Sequence, residues 1–149
     1  MALRQLNSRD DTPGFAESRF YTRLNALINQ GLDADNLTPV IFDVVAVDDE
    51  GWANGNSIIP NISGYFLLIF NVRIDGNAVG RNTEARLFQN DVKIAGHTYN
   101  DNGAIGSFIY HPGTIIWANA GDVFTAKIYN NSISFVLLIT GSLHLWGLS

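Results

Sequence analysis

The chain has 149 residues, 46% of them hydrophobic and only 15% charged, with a formal net charge of −5 and no cysteine. Nine Lys and Arg, scattered along the sequence, exclude the basic face of a nucleic-acid binder and attraction to an anionic membrane surface. The missing cysteines exclude a disulfide framework, a zinc-thiolate site and a thiol nucleophile. The length suits one domain, and so few charges imply that another subunit covers some of its apolar surface.

Residues 1–14 are polar, end in Thr12-Pro13-Gly14 and read as an extended arm. No apolar run typical of a secretory signal follows Met1, so none is expected. From Phe15 to Gly31, the residues Phe20, Leu24, Leu27 and Ile28 follow the i, i+4, i+7, i+8 rule, and Gly31 is placed as a terminator. That spacing predicts one helix of about four turns. Asp33 to Pro39 is a turn-rich connector, so an arm-and-helix unit is expected over residues 1–39 and a separate β domain over 40–149.

From Val40 onward, short β-branched and aromatic runs alternate with Gly, Asn and Asp clusters. Strands are expected near 40–47, 64–75, 84–89, 92–98, 104–110, 113–118, 122–130 and 133–146. Turn signals fall at Asp75-Gly76, Gln89-Asn90-Asp91, Asn100 to Gly103, Ala120 to Asp122 and Asn130-Asn131. This spacing predicts an all-β sandwich or barrel. Two of the strands, Tyr65–Val72 and Phe135–Ile139, are apolar on both faces, whereas a sheet with one wet face alternates polar with apolar. Their second face needs a cover.

Four segments carry a resemblance. Gly64-Tyr65-Phe66-Leu67-Leu68-Ile69-Phe70-Asn71-Val72 looks like a Gly-x-Tyr-x-Phe strand. Leu87 to Asp91 looks like a hydrophobic-Lys-Asn-Gly hairpin with Asp91 in place of Gly. Ile115 to Phe124 looks like a Leu-x-x-Gly-Asp-x-Val turn and strand, and Ile139-Thr140-Gly141-Ser142-Leu143 like a Phe-x-Gly-x-Leu closing strand. Over residues 40–149 the sequence thus resembles the C1q and tumour-necrosis-factor-like superfamily. The resemblance implies a jelly-roll β-sandwich that assembles as a homotrimer around a threefold axis. It implies that Tyr65, Leu67 and Ile69, with Ile139, Gly141 and Leu143, form the trimer interface, and that Phe66, Leu68 and Phe70 form the core.

The segment Leu24 to Leu37 is similar to stretches of bacteriophage tail-fibre, head-fibre and capsid-accessory proteins. That resemblance implies a virion structural protein, made in the host cytoplasm and carried on the capsid surface. Its partners would be itself and the major capsid protein or another virion component, with Arg4, Arg9, Phe15 and Phe20 as attachment residues. A capsid decoration protein is one form of this expectation, and a fibre's receptor-binding head that recognises a host glycan or protein is the other.

Enzyme chemistry finds little footing. His97, His111 and His144 lack metal-ligand spacing, there is no Gly-x-Ser-x-Gly elbow, and Asn54-Gly55-Asn56 lacks a P-loop context. The acidic run Asp48-Asp49-Glu50 has the oxygens of a calcium site but equally those of a solvated loop. Glu50 and Glu84 are conceivable as a paired-carboxylate glycosidase. Trp52, Trp117 and Trp146 are candidates for sugar stacking or for burial. No catalytic residue, cofactor or metal is expected.

Overall fold

The computed structural model describes residues 20–76, 81–101, 106–131 and 136–148, and all regular structure within them is β. Two antiparallel sheets face each other. The larger contains β1 (Tyr21–Ala26), β2 (Gln30–Leu32), β4 (Val44–Asp48), β7 (Gly64–Gly76), β10 (Gly106–Tyr110), β11 (Gly113–Ala118) and β13 (Val136–Leu148). The smaller contains β3 (Asn36–Pro39), β5 (Ala53–Asn54), β6 (Ser57–Ile58), β8 (Arg81–Gln89), β9 (Val92–Asp101) and β12 (Phe124–Asn131). The larger sheet runs β10-β7-β13-β1-β4 and the smaller β5-β6-β12-β8-β9.

Among the described residues the expected helix is not formed. Residues 21–26 form β1, hydrogen-bonded on one side to β13 and on the other to β4. Thr22, Leu24 and Ala26 are buried on one face of it. A period of two therefore prevails over the helical spacing, because Leu24 fills the core while Leu27 and Ile28 stand in solvent. Phe15 to Arg19, at the start of the expected helix, lie outside the described residues. Nor does the boundary at 39/40 separate two units, since β1, β2 and β3 are built into the two sheets.

The core lies between the sheets. β7 contributes Phe66, Leu68, Phe70, Val72 and Ile74, β13 contributes Leu138, Leu143 and Leu145, and the smaller sheet answers with Ile58, Ala85, Leu87, Phe124, Ala126 and Ile128. Trp52 is buried against Phe66, ring centroids 5.7 Å apart, and its Nε1 donates to Asn61 Oδ1 at 2.9 Å. Its indole is a core element with a satisfied polar edge.

Two aspartates pin the connections. Asp122 accepts hydrogen bonds from Asn90 Nδ2, Gln89 Nε2 and the Asn119 amide, each at 2.8 Å. These donors hold its carboxyl below the usual carboxylate range, the Asn90 bond first and the Asn119 amide next. The β8–β9 hairpin is thereby tied to the β11–β12 turn. The hairpin turns through Asn90 and Asp91, both at positive φ (50° and 63°), as a two-residue turn of the favoured twist requires. Asp48 accepts from Thr22 Oγ1 at 3.0 Å, the Trp52 amide at 2.7 Å and the Ala53 amide at 3.2 Å. Its oxygens close the β4–β5 loop, so the acidic run that suggested calcium is anchored by a loop-capping carboxylate.

Removing that carboxylate strands a buried threonine hydroxyl and two part-buried amides. Asp48→Ala is expected to lower unfolding free energy by about 1–3 kcal/mol, read by urea denaturation at neutral pH. A change within experimental error would show that Asp48 does not cap this loop.

Candidate functional site

The two sheets present opposite outer faces. On the smaller sheet, Glu84 is ion-paired with Lys93 and, at 2.6 Å, with Arg86. The Arg86 guanidinium lies 4.5 Å from the Tyr129 ring centroid, and the Lys127 ammonium 4.6 Å from that of Phe88. Lys127 also pairs with Asp91 at 3.0 Å. Burial works against ionisation of Glu84, but the Lys93 and Arg86 bonds overcome it and hold its carboxyl below the ordinary value. Glu84 is thus an ionised pairing partner with none of the raised affinity for protons that an acid catalyst needs. Glu50 sits exposed in a turn.

The outer face of the larger sheet is different, and its strand registers give it in rows. One row runs Tyr21, Trp146, Leu67 and Ile115 across β1, β13, β7 and β11. Beside it, Tyr65 of β7 stands between Leu148 and Trp117. The next row runs Arg23, His144, Ile69 and Gly113, and the next Asn25, Ser142 and Asn71. Thr140 and Arg73 follow, with Ile109 opposite Arg73. The face is therefore aromatic and aliphatic at one end and polar and cationic at the other. Tyr65 is 57% exposed, Ile115 63% and Trp117 50%. Large apolar side chains left in water side by side mark an interaction surface.

Three rings organise the middle. Tyr21 and Trp146 stack at 4.9 Å between centroids, and His144 and Trp146 at 5.1 Å. The Tyr21 hydroxyl and His144 Nδ1 are hydrogen-bonded at 2.8 Å, and His144 Nε2 and Ser142 Oγ at 2.7 Å. Both ring nitrogens are used, which fixes the orientation of the imidazole. Burial and then the Arg23 charge push the His144 ring below the ordinary histidine range.

The expected interface residues divide between the two faces. Tyr65, Leu67 and Ile69 lie together on the outer face. Gly141 and Leu143 do not join them. A bulge between Leu138 and Thr140 shifts the register of β13 by one residue, so Gly141 pairs with Val72 and Leu143 with Phe70 on the core side. Leu143 is fully buried, and a Cβ on Gly141 would stand 3.5 Å from the Phe70 ring. Ile139, half-buried, is the extra residue of the bulge. Ser142, His144 and Trp146 occupy the outer positions instead. Strict alternation applied to β13 from Ile139 onward misses them, because a bulge leaves no mark in the alternation of residue types.

The other expected sites fare as follows. Phe20, assigned to capsid attachment, packs on the core, its ring 5.5 Å from Trp52, and its carbonyl accepts the Gly147 amide at 2.9 Å. It packs, half-buried, as part of the sandwich. Arg4, Arg9 and Phe15 lie outside the described residues. His97 and His111 come together, the His111 amide donating to His97 Nδ1 at 3.1 Å, while His111 Nδ1 and Asn71 Oδ1 are hydrogen-bonded at 2.7 Å. His144 is not with them. Among the described residues no three His, Cys, Asp or Glu side chains are grouped to hold a metal ion.

Because the folded His144 binds a proton less readily than an unfolded histidine, its contribution to stability is complete above about pH 6.5. It is lost as pH falls through the depressed folded value. Between about pH 8 and pH 5, the wild type is therefore expected to lose more melting temperature than His144→Gln. Equal losses would remove His144 as the source.

No known protein family matches the sequence, and no characterised protein matches it at the sequence level. Solved structures do match the fold. The chain is similar to the globular domain of zebrafish complement 1qA protein, with a TM-score of 0.62 at 12% identity, over 85% of this chain and 95% of that one. It is also similar to murine APRIL, with a TM-score of 0.66 at 13% identity, over 87% of this chain and 98% of that one. The two-sheet sandwich is a jelly roll of the C1q and tumour-necrosis-factor-like kind.

Proposed function

We propose that the protein is a non-enzymatic homotrimeric module whose subunits meet through the aromatic end of the larger sheet's outer face. The observation that carries this reading is the contrast between the two sheets. The smaller sheet's outer face is covered by ion pairs and cation–ring contacts. The larger sheet's outer face leaves Tyr65, Ile115 and Trp117 in solvent around Leu67 and Ile69. A ring of three also needs a second, different patch on each copy. Val44 and Val45 on the β4 edge, with the nearby Leu27, Ile28 and Ile41, are exposed and apolar and meet that requirement. Burying a Leu-sized side chain is worth roughly 1.5–3 kcal/mol, so several per copy offset the entropy of association. The likeness in fold to C1q-type and APRIL-type domains supports the same arrangement.

Within this reading the trimer sits on a virion surface, as a capsid decoration protein bound to the major capsid protein or, alternatively, as the receptor-binding head of a fibre. The support is the similarity of Leu24 to Leu37 to phage fibre and capsid-accessory segments. Since β1, β2 and β3 are strands of the sandwich, attachment falls to the residues before Phe20, including Arg4, Arg9 and Phe15.

Two experiments test the proposal. Light scattering at micromolar concentration is expected to give a trimer for the wild type and a folded monomer for Leu67→Asp. A buried, unpaired carboxylate on each copy weakens assembly by roughly 100-fold or more. A stable wild-type monomer would sink the trimer. Deleting residues 1–14 is expected to leave the trimer and its melting temperature unchanged while abolishing binding to purified shells. Full binding by the truncated protein would refute attachment through the arm.

A further inference from the structure

The polar end of the same outer face holds an open, solvent-facing cavity of about 400 Å³. Arg23 and Asn25 of β1, Asn71 and Arg73 of β7, and Ser142 and His144 of β13 line it, with Ile109 as an apolar wall. The register explains the convergence, since Arg23 pairs with His144, Asn25 with Ser142, and Ser142 with Asn71. None of the described residues lining the cavity is acidic, although the whole chain carries a net charge of −5.

The two guanidiniums differ. Arg73 Nε lies 3.5 Å from Asp75, and its Nη2 donates to Ser107 Oγ at 2.9 Å. Arg23 Nε is buried and has no hydrogen-bond partner among the described residues. A buried, charged donor without an acceptor is costly, and guanidinium seeks a planar or tetrahedral oxyanion that its fork can grip. His144 cannot serve Arg23 as an acceptor, because its two nitrogens are held by Tyr21 and Ser142.

We infer that this cavity is an oxyanion-binding site in which Arg23 grips a phosphate, sulfate or carboxylate group, with Arg73 supplying the second positive charge and Asn25, Asn71 and Ser142 the neutral polar contacts. The site is built entirely within one protomer and does not depend on the trimer. A bound anion supplies the acceptor that Arg23 lacks, and it neutralises a face that would otherwise carry its cations into any assembly.

The test titrates the full chain with inorganic phosphate, sulfate or acetate by calorimetry at fixed ionic strength. The oligomeric state of the same samples is read by light scattering. Saturable binding of at least one of the three is expected, at no more than one anion per protomer. Arg23→Gln is expected to weaken it at least 10-fold and Arg73→Gln several-fold. Lys127→Gln, on the other sheet, leaves it unchanged. If Arg23→Gln fails to fold, Asn25→Asp keeps both arginines, places a carboxylate in the cavity and is expected to abolish binding. Absence of saturable binding by wild type would overturn the site, as would equal affinity in a folded Arg23→Gln or in Asn25→Asp. A protein that binds the anion as a monomer loses the trimer and keeps the site, and a trimer that binds none loses only the site.

Discussion

β7 and β13 run side by side from Tyr65 opposite Leu148 to Asp75 opposite Leu137. From Tyr65 to Phe70, β7 is apolar on both faces, and the two strands form the centre of the larger sheet. Their inward residues, from Phe66 to Ile74 and from Leu138 to Leu145, are the floor on which the smaller sheet is laid. Their outward residues are left over once that core is complete. Side chains on a strand alternate, so a contiguous apolar run such as Tyr65 to Phe70 puts apolar residues on both sides. The core fixes half of each strand, and the outer half is free to differ in chemistry from an ordinary wet face.

The molecule uses that freedom on one sheet only. On the smaller sheet, Lys127 and Arg86 lie over the Phe88 and Tyr129 rings and pair with Asp91 and Glu84. On the larger sheet the rings stack on each other, Tyr21 on Trp146 and Trp146 on His144, and the surface they make stays apolar. The gradient along that face separates a region suited to another protein surface from one suited to a small charged group. The boundary between them runs through His144.

Much of the fold was legible in the sequence. The strand expected at 113–118 coincides with β11, and the one expected at 64–75 with all but the last residue of β7, since dense β-branched and aromatic runs between turn residues leave little choice of conformation. β1 was not legible. Phe20, Leu24, Leu27 and Ile28 fit a helix, and only the hydrogen bonds offered by β13 and β4 on either side decide for a strand. The outer face was legible on β7, where alternation is unbroken, and misassigned on β13 beyond the bulge. The arginine cavity had no signature at all. Its residues are separated by as many as 121 positions, from Arg23 to His144, and only strand pairing brings them together.

The bulge at Leu138–Thr140 has a consequence for how this chain tolerates change in length. From Gly141 to Leu148, odd-numbered residues face the core and even-numbered residues face out. Before the bulge the assignment is reversed, with even-numbered Leu138 buried and odd-numbered Leu137 half-buried. Ile139 is the residue that converts one parity into the other. Deleting it would set the two halves of β13 in a single phase, and either Leu143 and Leu145 would trade places with His144 and Trp146 or the first half of the strand would invert. Most residues of β13 can be exchanged for others of similar size and polarity at a graded cost. The presence of a residue at 139, whatever its type, is all-or-none, because it decides which side of the sheet every later side chain meets.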